Sequence, residues 1–392
     1  MNKVKYSFFT ILVLPLFSFA DIEFKGALKN SFYVPSFDTM GDTKLRSILD
    51  LNFKTNVYLD DLNVNFGGEY SYTMEPPSST SPLNLDEQVT NNEGFNIYEA
   101  SLSYIDNIST LNQDLSYGVK VGRFENKTPF SNSYNKNKRW TGQNKTSLEG
   151  IVGEINHKYF NSYGTYFIGM NDHFDLSTID GVKGFSTGID SSYNDFSIGL
   201  NYIDVNYDKK GKPSTKQILV QGDGKVKNVN FSIDYLNQKF NNNMEDTNYI
   251  GLSSKLDLKI PINLRATSKN GMNMSNFDDS LETPVRSLNS NTLKMLNIND
   301  TIQSVNGSSD FNSIAMGVDL DFSKILKMKE NSMFLTFDNV EGTMIPSVTY
   351  NDIWFNKLES SILLSKEPTY NSITNELDTP NFSIRGNLNL KF

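Results

Sequence analysis

The last segment of the chain, Asn381–Phe392 (NFSIRGNLNLKF), alternates apolar and polar residues. One parity holds Phe382, Ile384, Gly386, Leu388, Leu390 and Phe392, and the other holds Ser383, Arg385, Asn387, Asn389 and Lys391. Successive side chains of a β-strand point to opposite faces, so the segment predicts a strand with one apolar face and one wet, partly charged face. Such a strand fits only a sheet whose two faces meet different surroundings.

The same alternation recurs in a matched pair of segments near the beginning of the chain. In Leu45–Asp60 the apolar residues share one face, and the other face carries Arg46, Asp50, Asn52, Lys54 and Asn56. Asp60-Asp61 separates this segment from a second alternating one that begins at Leu62, which predicts a hairpin with a two-residue turn. The polar face is too charged for a sheet packed on both sides, and it suits a water-filled lumen.

The first twenty residues have the three parts of a secretory signal. Lys3 and Lys5 precede the apolar run Phe8–Leu14, and Ser18-Phe19-Ala20 places small residues at the positions that a signal peptidase inspects. The apolar run is shorter than the ~20 residues of a membrane-spanning helix, so we expect cleavage after Ala20 rather than an anchor. The sequence contains no Cys, which excludes a lipid-anchored Cys, disulfides and thiolate metal sites.

Charge and hydropathy narrow the class of protein. Two of the 36 basic residues leave with the signal, so 34 basic residues face 45 acidic ones and the mature net charge is −11. This acidity argues against nucleic-acid binding, which needs a basic face. No apolar stretch after the signal approaches the length of a membrane helix, so the protein either is soluble or spans a membrane with strands.

The connections between the alternating segments are sorted by length. Brief turns fall near Asp60, Asn194, Lys227 and Ile260, and longer connections fall at Glu75–Glu93, Glu125–Lys145, Gly271–Asp310 and Glu341–Val348. Short periplasmic turns and long external loops are typical of outer-membrane barrels, whereas a soluble sandwich has no reason to sort them. We predict an all-β fold: a transmembrane antiparallel β-barrel of about 18 strands, with 16 as the alternative count, in a single domain over residues 21–392.

The size of this barrel indicates the class of function. Barrels of ~16–18 strands leave an aqueous channel, while small barrels fill with side chains. Ile22–Val34 already has the pattern of a first strand, so no N-terminal plug is expected. The sequence therefore predicts a porin of the cell outer membrane, which admits small hydrophilic solutes by passive diffusion.

The segment Val119–Gly150 resembles the third-loop region of the OprD-like, substrate-specific porins of bacterial outer membranes. In that family a strand ends in Gly-Lys or Gly-Arg, Thr-Pro and an Arg follow, and a Glu-Gly pair reopens the wall. Gly122-Arg123, Thr128-Pro129, Arg139 and Glu149-Gly150 stand in that order here, with Lys138 where the family usually has an Asp. The resemblance implies a barrel of about 18 strands whose third loop folds inward and whose basic side chains guide anionic solutes.

This third-loop region is a basic island in an acidic protein. Its cations are Lys127, Lys136, Lys138, Arg139 and Lys145, and before Glu149 they face Glu125 alone. Inside the lumen they would form a positive constriction that attracts anions; outside, they would be solvated or bind acidic sugars of the outer leaflet. Both alternatives stay open. Four lumen-facing residues of other segments would extend the basic track, namely Lys54, Lys120, Arg265 and Arg385, and acidic residues would oppose it, namely Asp50, Glu69, Asp319 and Asp321.

The connection Gly271–Asp310 is a second candidate for gating the pore. Connections of this length in compact folds are usually functional or disordered. Its part Thr283–Ile302 has apolar residues at loosely helical spacing. The sequence leaves open whether this loop folds over or into the pore, or lies on the surface.

Catalysis finds little support in the sequence. The two histidines, His157 and His173, are not spaced as a metal pair, and we expect no enzymatic activity, no metal site and no cofactor. The expected partners are small hydrophilic solutes, outer-membrane lipid and lipopolysaccharide. The final strand, ending in Phe392, also resembles the closing strand that the barrel-assembly machinery reads. A surface adhesin that acts through Glu75–Glu93 and Gly271–Asp310 is the alternative function, and a monomer and a trimer are both open.

Overall fold

The computed structural model describes residues 21–34, 44–59, 62–74, 94–108, 115–125, 146–172, 182–207, 214–240, 246–271, 285–308, 311–327, 331–354, 358–368, 370–371, 374, 376–377 and 381–391. These ranges contain the following strands and one helix: β1 (Asp21–Val34), β2 (Lys44–Leu59), β3 (Leu62–Met74), β4 (Gly94–Ile108), β5 (Leu115–Glu125), β6 (Thr146–His157), β7 (Phe160–Asp172), β8 (Val182–Tyr193), β9 (Phe196–Tyr207), β10 (Thr215–Val226), β11 (Val229–Phe240), β12 (Thr247–Leu256), β13 (Ile262–Asn270), α1 (Ser290–Val305), β14 (Asn312–Asp321), β15 (Ser332–Val340), β16 (Thr343–Trp354), β17 (Leu358–Glu367), β18 (Tyr370–Asn371), β19 (Glu376–Leu377) and β20 (Asn381–Lys391). No helix in these ranges is long and apolar enough to cross a membrane.

Within the described part of the chain, β1–β17 and β20 form one sheet of 18 strands. All its pairings are antiparallel, and the sheet closes into a barrel because β1 pairs with β2 on one edge and with β20 on the other. Leu28 on β1 lies opposite both Leu49 on β2 and Leu390 on β20. The predicted antiparallel barrel and the higher of the two predicted strand counts are therefore confirmed. β18 and β19 form a separate small hairpin.

The barrel wall is apolar outside and polar inside. On β12 and β13, Ile250, Leu252 and Leu264 are exposed, whereas the inward positions between and beside them are buried: Tyr249, Gly251, Arg265, Thr267 and Lys269. β20 follows the predicted alternation, with exposed Phe382, Leu388 and Leu390 and buried Ser383. A protein surrounded by water would bury its aliphatic residues instead. This inverted distribution is the one that a bilayer outside and a polar interior select.

One connection differs from the sequence expectation. β15 and β16 join through Glu341-Gly342, whose φ angles of 48° and 84° suit a two-residue hairpin turn. The predicted longer loop at Glu341–Val348 is therefore wrong, because β16 already begins at Thr343. Pro346 lies within β16 opposite Phe337, although proline is rare inside sheets.

The connection between β13 and β14 returns into the barrel. Residues 285–308, which we call the lumenal segment, include α1 and bury Val285, Leu288, Met295 and Leu296. These side chains belong to one apolar cluster with inward residues of the wall, among them Tyr249, Ala315 and Val340. The helix begins after Asn289, whose side chain accepts a hydrogen bond from Thr292 N at 2.8 Å. Of the alternatives for Gly271–Asp310, folding into the pore is thus correct for residues 285–308.

Candidate functional site

The lumenal segment is tied to the wall first by Arg286. Its backbone N and its Nε donate hydrogen bonds to the two carboxylate oxygens of Asp234 on β11, at 2.7 and 2.8 Å. The guanidinium also pairs with Asp223 on β10 and donates to Gly222 O at 3.2 Å. Burial alone would lower the pKa of Arg286, but the hydrogen bonds and charges of Asp223 and Asp234 raise it overall. A fixed cation therefore joins the segment to two neighbouring strands.

Arg265 on β13 is the second anchor. Its Nε and Nη2 donate to the two oxygens of Asp319 at 2.9 and 2.8 Å, and Nη2 also donates to Asp338 at 2.7 Å. Its Nη1 donates to the backbone oxygen of Ser287 in the lumenal segment at 3.1 Å. Gly317 makes room for this arrangement, because a Cβ there would lie 2.6 Å from Arg265 Nη2. The predicted selectivity residue Arg265 is therefore a buried structural junction.

Further contacts hold α1 along β13–β15. Asn289 donates from Nδ2 to Asp338 at 2.7 Å, and Asn299 donates from Nδ2 to Ser313 Oγ at 2.7 Å. Asp300 forms a buried ion pair with Lys269 on β13. Partners of this kind are needed, since an unpaired charge inside the protein would cost several kcal/mol.

Gly251 on β12 lets the lumenal segment approach the backbone of the wall. A Cβ at this position would lie 2.5 Å from Val285 Cγ1 and would also collide with Ser287 Oγ. Ser287 Oγ is in turn hydrogen-bonded to Thr267 Oγ1 on β13. The segment is therefore packed onto the wall.

This side of the lumen carries an acidic excess. The described ion pairs of the lumenal segment and its wall contain three cations, Arg265, Lys269 and Arg286. They contain five carboxylates: Asp223, Asp234, Asp300, Asp319 and Asp338. The network therefore has two negative charges more than positive ones.

A basic cluster lies on the opposite side of the barrel. Lys54 on β2 and Lys120 on β5 pair with the two oxygens of Glu99 on β4, at 3.2 and 3.1 Å. The Glu99 side chain is 1% exposed, whereas those of Lys54 and Lys120 are 31% and 23% exposed. Two cations around one buried carboxylate leave a net charge of one positive unit. The lysine side chains are the part of this cluster that a solute can reach. In the ring of eighteen strands, eight strands lie between β4 and β13 on either side, so the two clusters face each other across the lumen.

The remaining predicted selectivity residues divide into two groups. Arg385 on β20 lies in register opposite Leu363 on β17, on the inward parity shared with the buried Ser383. Lys127, Lys136, Lys138 and Arg139 lie outside the described residues. The structure thus brings together Lys54 and Lys120 but places Arg265 in the acidic network on the far wall.

The two ends of the third-loop motif meet across neighbouring strands. Arg123 on β5 lies opposite Glu149 on β6, and its Nε donates to Glu149 Oε1 at 2.9 Å. Its Nη1 donates to Ile97 O on β4 at 3.0 Å. Gly122 has a φ of 123°, which few other residues adopt, and any Cβ there would collide with the oxygen of Ala100. The motif therefore fixes the point where this connection leaves and rejoins the wall.

Several residues of these clusters escaped the sequence analysis: Glu99, Asp234, Arg286, Lys269 and Asp300. Glu99 had a detectable signal, because it shares its parity with Ser101 and Ser103 on a strand with apolar outward residues. Arg286 and Asp300 had none, since only docking of the loop brings them to the wall.

No protein-family model matches the sequence, and no curated protein does either. Solved structures do match over 95% of the chain. OpdK of Pseudomonas aeruginosa has 8% identity and a TM-score of 0.58, with 99% of its own chain covered. A BenF-like porin of Pseudomonas fluorescens Pf-5 has 9% identity and a TM-score of 0.59. OccAB4 of Acinetobacter baumannii has 10% identity and a TM-score of 0.60, and 98% of each of these two chains is covered.

The chain has the fold of these outer-membrane porins. The fold implied by the resemblance to OprD-like porins is therefore confirmed, although the sequence identity is very low. OpdK, the BenF-like porin and OccAB4 match almost end to end, so the likeness in fold extends over nearly the whole chain.

Proposed function

We propose that this protein is an outer-membrane porin, which forms a water-filled channel for passive diffusion of small hydrophilic solutes. The observation that carries the proposal is the inverted wall: exposed aliphatic residues outside, and buried polar and ionic residues inside a ring of eighteen strands. A barrel of this size is wide enough for an aqueous passage. The lumenal segment narrows it from one side, as selective channels require.

The proposed solutes are small and carry a carboxylate or another anionic group. Lys54 and Lys120 offer accessible cations on one side of the lumen, while the acidic excess of the network between the lumenal segment and its wall repels anions from the other side. A structure of the similar porin OpdK contains vanillate, which is a carboxylate. Lys127, Lys136, Lys138 and Arg139 are proposed to continue the basic track at the constriction.

The adhesin alternative loses its main support. It required the connection Gly271–Asp310 to be an external binding loop, but residues 285–308 of that connection are packed against the inner wall. Glu75–Glu93, the other loop invoked for adhesion, lies outside the described residues. The porin function is therefore the better interpretation.

Conductance of the purified chain in planar lipid bilayers tests the porin function. We expect discrete ion-conducting steps, and a correctly folded barrel that carries no current would contradict the proposal. Selectivity is measured as the reversal potential in a salt gradient. The triple variant K54Q/E99Q/K120Q should shift this potential toward cations, because it removes the net positive charge without leaving the buried Glu99 carboxylate unpaired.

A matched control is the double variant D204N/K216Q, which neutralises an ion pair of 3.3 Å between β9 and β10. Asp204 lies opposite the exposed Phe185 and so has outward parity. This variant should keep the parental reversal potential. Charge reversal at Lys136, Lys138 and Arg139 should shift the potential further than the triple variant, and an unchanged potential would exclude these three residues from the constriction.

A further inference from the structure

The edge of the barrel with the short turns carries an unusual patch. Three aliphatic side chains at neighbouring turns are largely exposed: Leu258 (49%), Ile325 (42%) and Leu326 (51%). Exposed lysines stand between and beside them, namely Lys259, Lys324 and Lys327. We call these six residues the rim patch. Such exposed aliphatic residues at the tips of turns are costly in water, so the patch calls for a partner.

Hydrogen bonds between turns make the patch continuous. Asp321 N, at the end of β14, donates to Pro261 O in the turn between β12 and β13 at 3.0 Å. Lys324 forms an ion pair with Asp257, which precedes Leu258. The turn at residues 323–327 is closed by a hydrogen bond from Leu326 N to Phe322 O at 3.0 Å. The aliphatic and the basic residues are therefore held side by side.

The patch is a continuation of the lipid-facing surface. Ile250 and Leu252 belong to the exposed row of β12, and Leu258 is exposed in the turn two residues after this strand ends. The neighbouring turns are connected by backbone hydrogen bonds, since Asp257 N donates to Asn228 O at 2.8 Å and Lys225 N donates to Asp195 O at 3.1 Å. The turn at Asp195 is flanked by the exposed rings of Tyr193 and Phe196. Exposed aromatic rings at the edge of a barrel mark the boundary between hydrocarbon and headgroups.

The local charge is complementary to phosphate. Hydrogen bonding and the charge of Lys324, followed by the charges of Lys225 and Lys255, lower the pKa of Asp257. The field at this rim is therefore positive, in a protein whose sequence is acidic overall. Lysines beside aliphatic residues suit an interface where alkyl chains lie under anionic headgroups, because the long side chain reaches outward with its ammonium.

We propose that the rim patch is a phospholipid-binding surface: Leu258, Ile325 and Leu326 insert between the lipids of the adjacent leaflet, and Lys259, Lys324 and Lys327 bind the phosphates of anionic headgroups. The proposal rests on the placement of the barrel in a bilayer under the proposed function. The proposal adds a lipid class and a location on the barrel. The lipid contact anchors the short-turn edge of β12–β15. This is also the part of the wall against which the lumenal segment packs.

A single tryptophan at the rim patch tests the insertion. Both native tryptophans, Trp140 and Trp354, are first replaced by Phe, and Leu326→Trp is added to the full mature chain folded into vesicles of phosphatidylethanolamine and phosphatidylglycerol. Asn228→Trp in the same background is the control, because it lies in the adjacent short turn, Lys227-Asn228, outside the rim patch. We expect the L326W emission to be blue-shifted and quenched several-fold more strongly by brominated lipid chains than the N228W emission.

Native mass spectrometry of protein extracted from these vesicles tests whether the lysines bind lipid phosphates. The K259Q/K324Q/K327Q variant should retain fewer phosphatidylglycerol molecules than the parent, while K216Q, on the other edge of the barrel, should retain as many. An L326W tryptophan that acrylamide reaches as easily as in N228W overturns the proposal and assigns the patch to an acidic protein partner. Equal phosphatidylglycerol retention by the parent and the triple variant also overturns it.

Conductance separates the two proposals. An L326W barrel that conducts but is not quenched by brominated lipid refutes the rim patch and leaves the porin function intact. Strong quenching without any conductance refutes the channel and leaves the lipid contact intact.

Discussion

Replacing Asp234 with Asn tests whether the ionic contacts hold the lumenal segment against the wall. Asp234 is 1% exposed and accepts hydrogen bonds from Arg286 N and Nε, and from Gln221 Nε2 at 3.1 Å. Asn has a single acceptor oxygen, so at least one of the Arg286 donors loses its partner. The charge that stabilises the guanidinium at this point is lost as well.

The magnitude follows from the burial of the pair. Breaking a fully buried ion pair costs about 3–5 kcal/mol. Arg286 is 26% exposed and keeps Asp223, so solvent screening and the second carboxylate reduce the cost to about 2 kcal/mol. A change of this size in the docking free energy raises the population of the undocked segment about 30-fold, because 1.4 kcal/mol corresponds to a factor of ten.

The assay uses the absence of cysteine from the chain. Val285→Cys places one thiol next to Arg286, at a position that is buried against Gly251 in the docked segment. Its rate of reaction with a water-soluble thiol reagent reports the undocked population when opening and closing are fast. We expect D234N to raise this rate about 30-fold relative to V285C alone.

The control is D204N in the same V285C background. Asp204 pairs with Lys216 at the outer side of the barrel, and none of its described contacts involves the lumenal segment. Its labelling rate should equal that of V285C alone. If D234N labels no faster than D204N, then the apolar cluster rather than the ion pair holds the segment, and our account of the anchor is wrong.

Two further predictions follow from the wall and from the beginning of the chain. Gly251→Val should weaken docking of the lumenal segment by about 1–3 kcal/mol, because the added atoms overpack against it. We expect faster labelling of V285C and altered single-channel conductance, whereas Gly153→Val, at a position with open space around it, should change neither. Protein purified from the outer membrane should begin at Asp21 by intact mass; retention of residues up to Ala20 would contradict the predicted signal cleavage.

The strand pattern was accessible from the sequence because it is local. A strand alternates its faces every two residues, so the segments around Leu49 and Leu388 reveal their lipid-facing side without knowledge of their partners. The error at Glu341–Val348 has the same origin. Pro346 changes the local pattern, but the neighbouring strands hold the segment in the sheet.

The charged clusters were only partly accessible. Parity placed Lys54, Lys120 and Arg265 on the lumenal side, but it could not tell which of them stays accessible to a solute. The guanidinium of Arg265 is paired with Asp319, on the next strand, and with Asp338, which is 73 positions away in the sequence. Pairings of this kind arise from the register between strands and from the path of a loop.

The sequence by itself determined the barrel and the inward and outward faces of its strands, because these follow from the two-residue period of a strand and from the number of strands. Only the tertiary structure decided which side of the lumen is basic and which is acidic. Closure places β4 opposite β13, and docking of residues 285–308 brings Arg286, Asn289 and Asp300 to wall residues far away in the chain. The field inside the channel is a sum over charges that meet only when the barrel has closed, so no local pattern contains it.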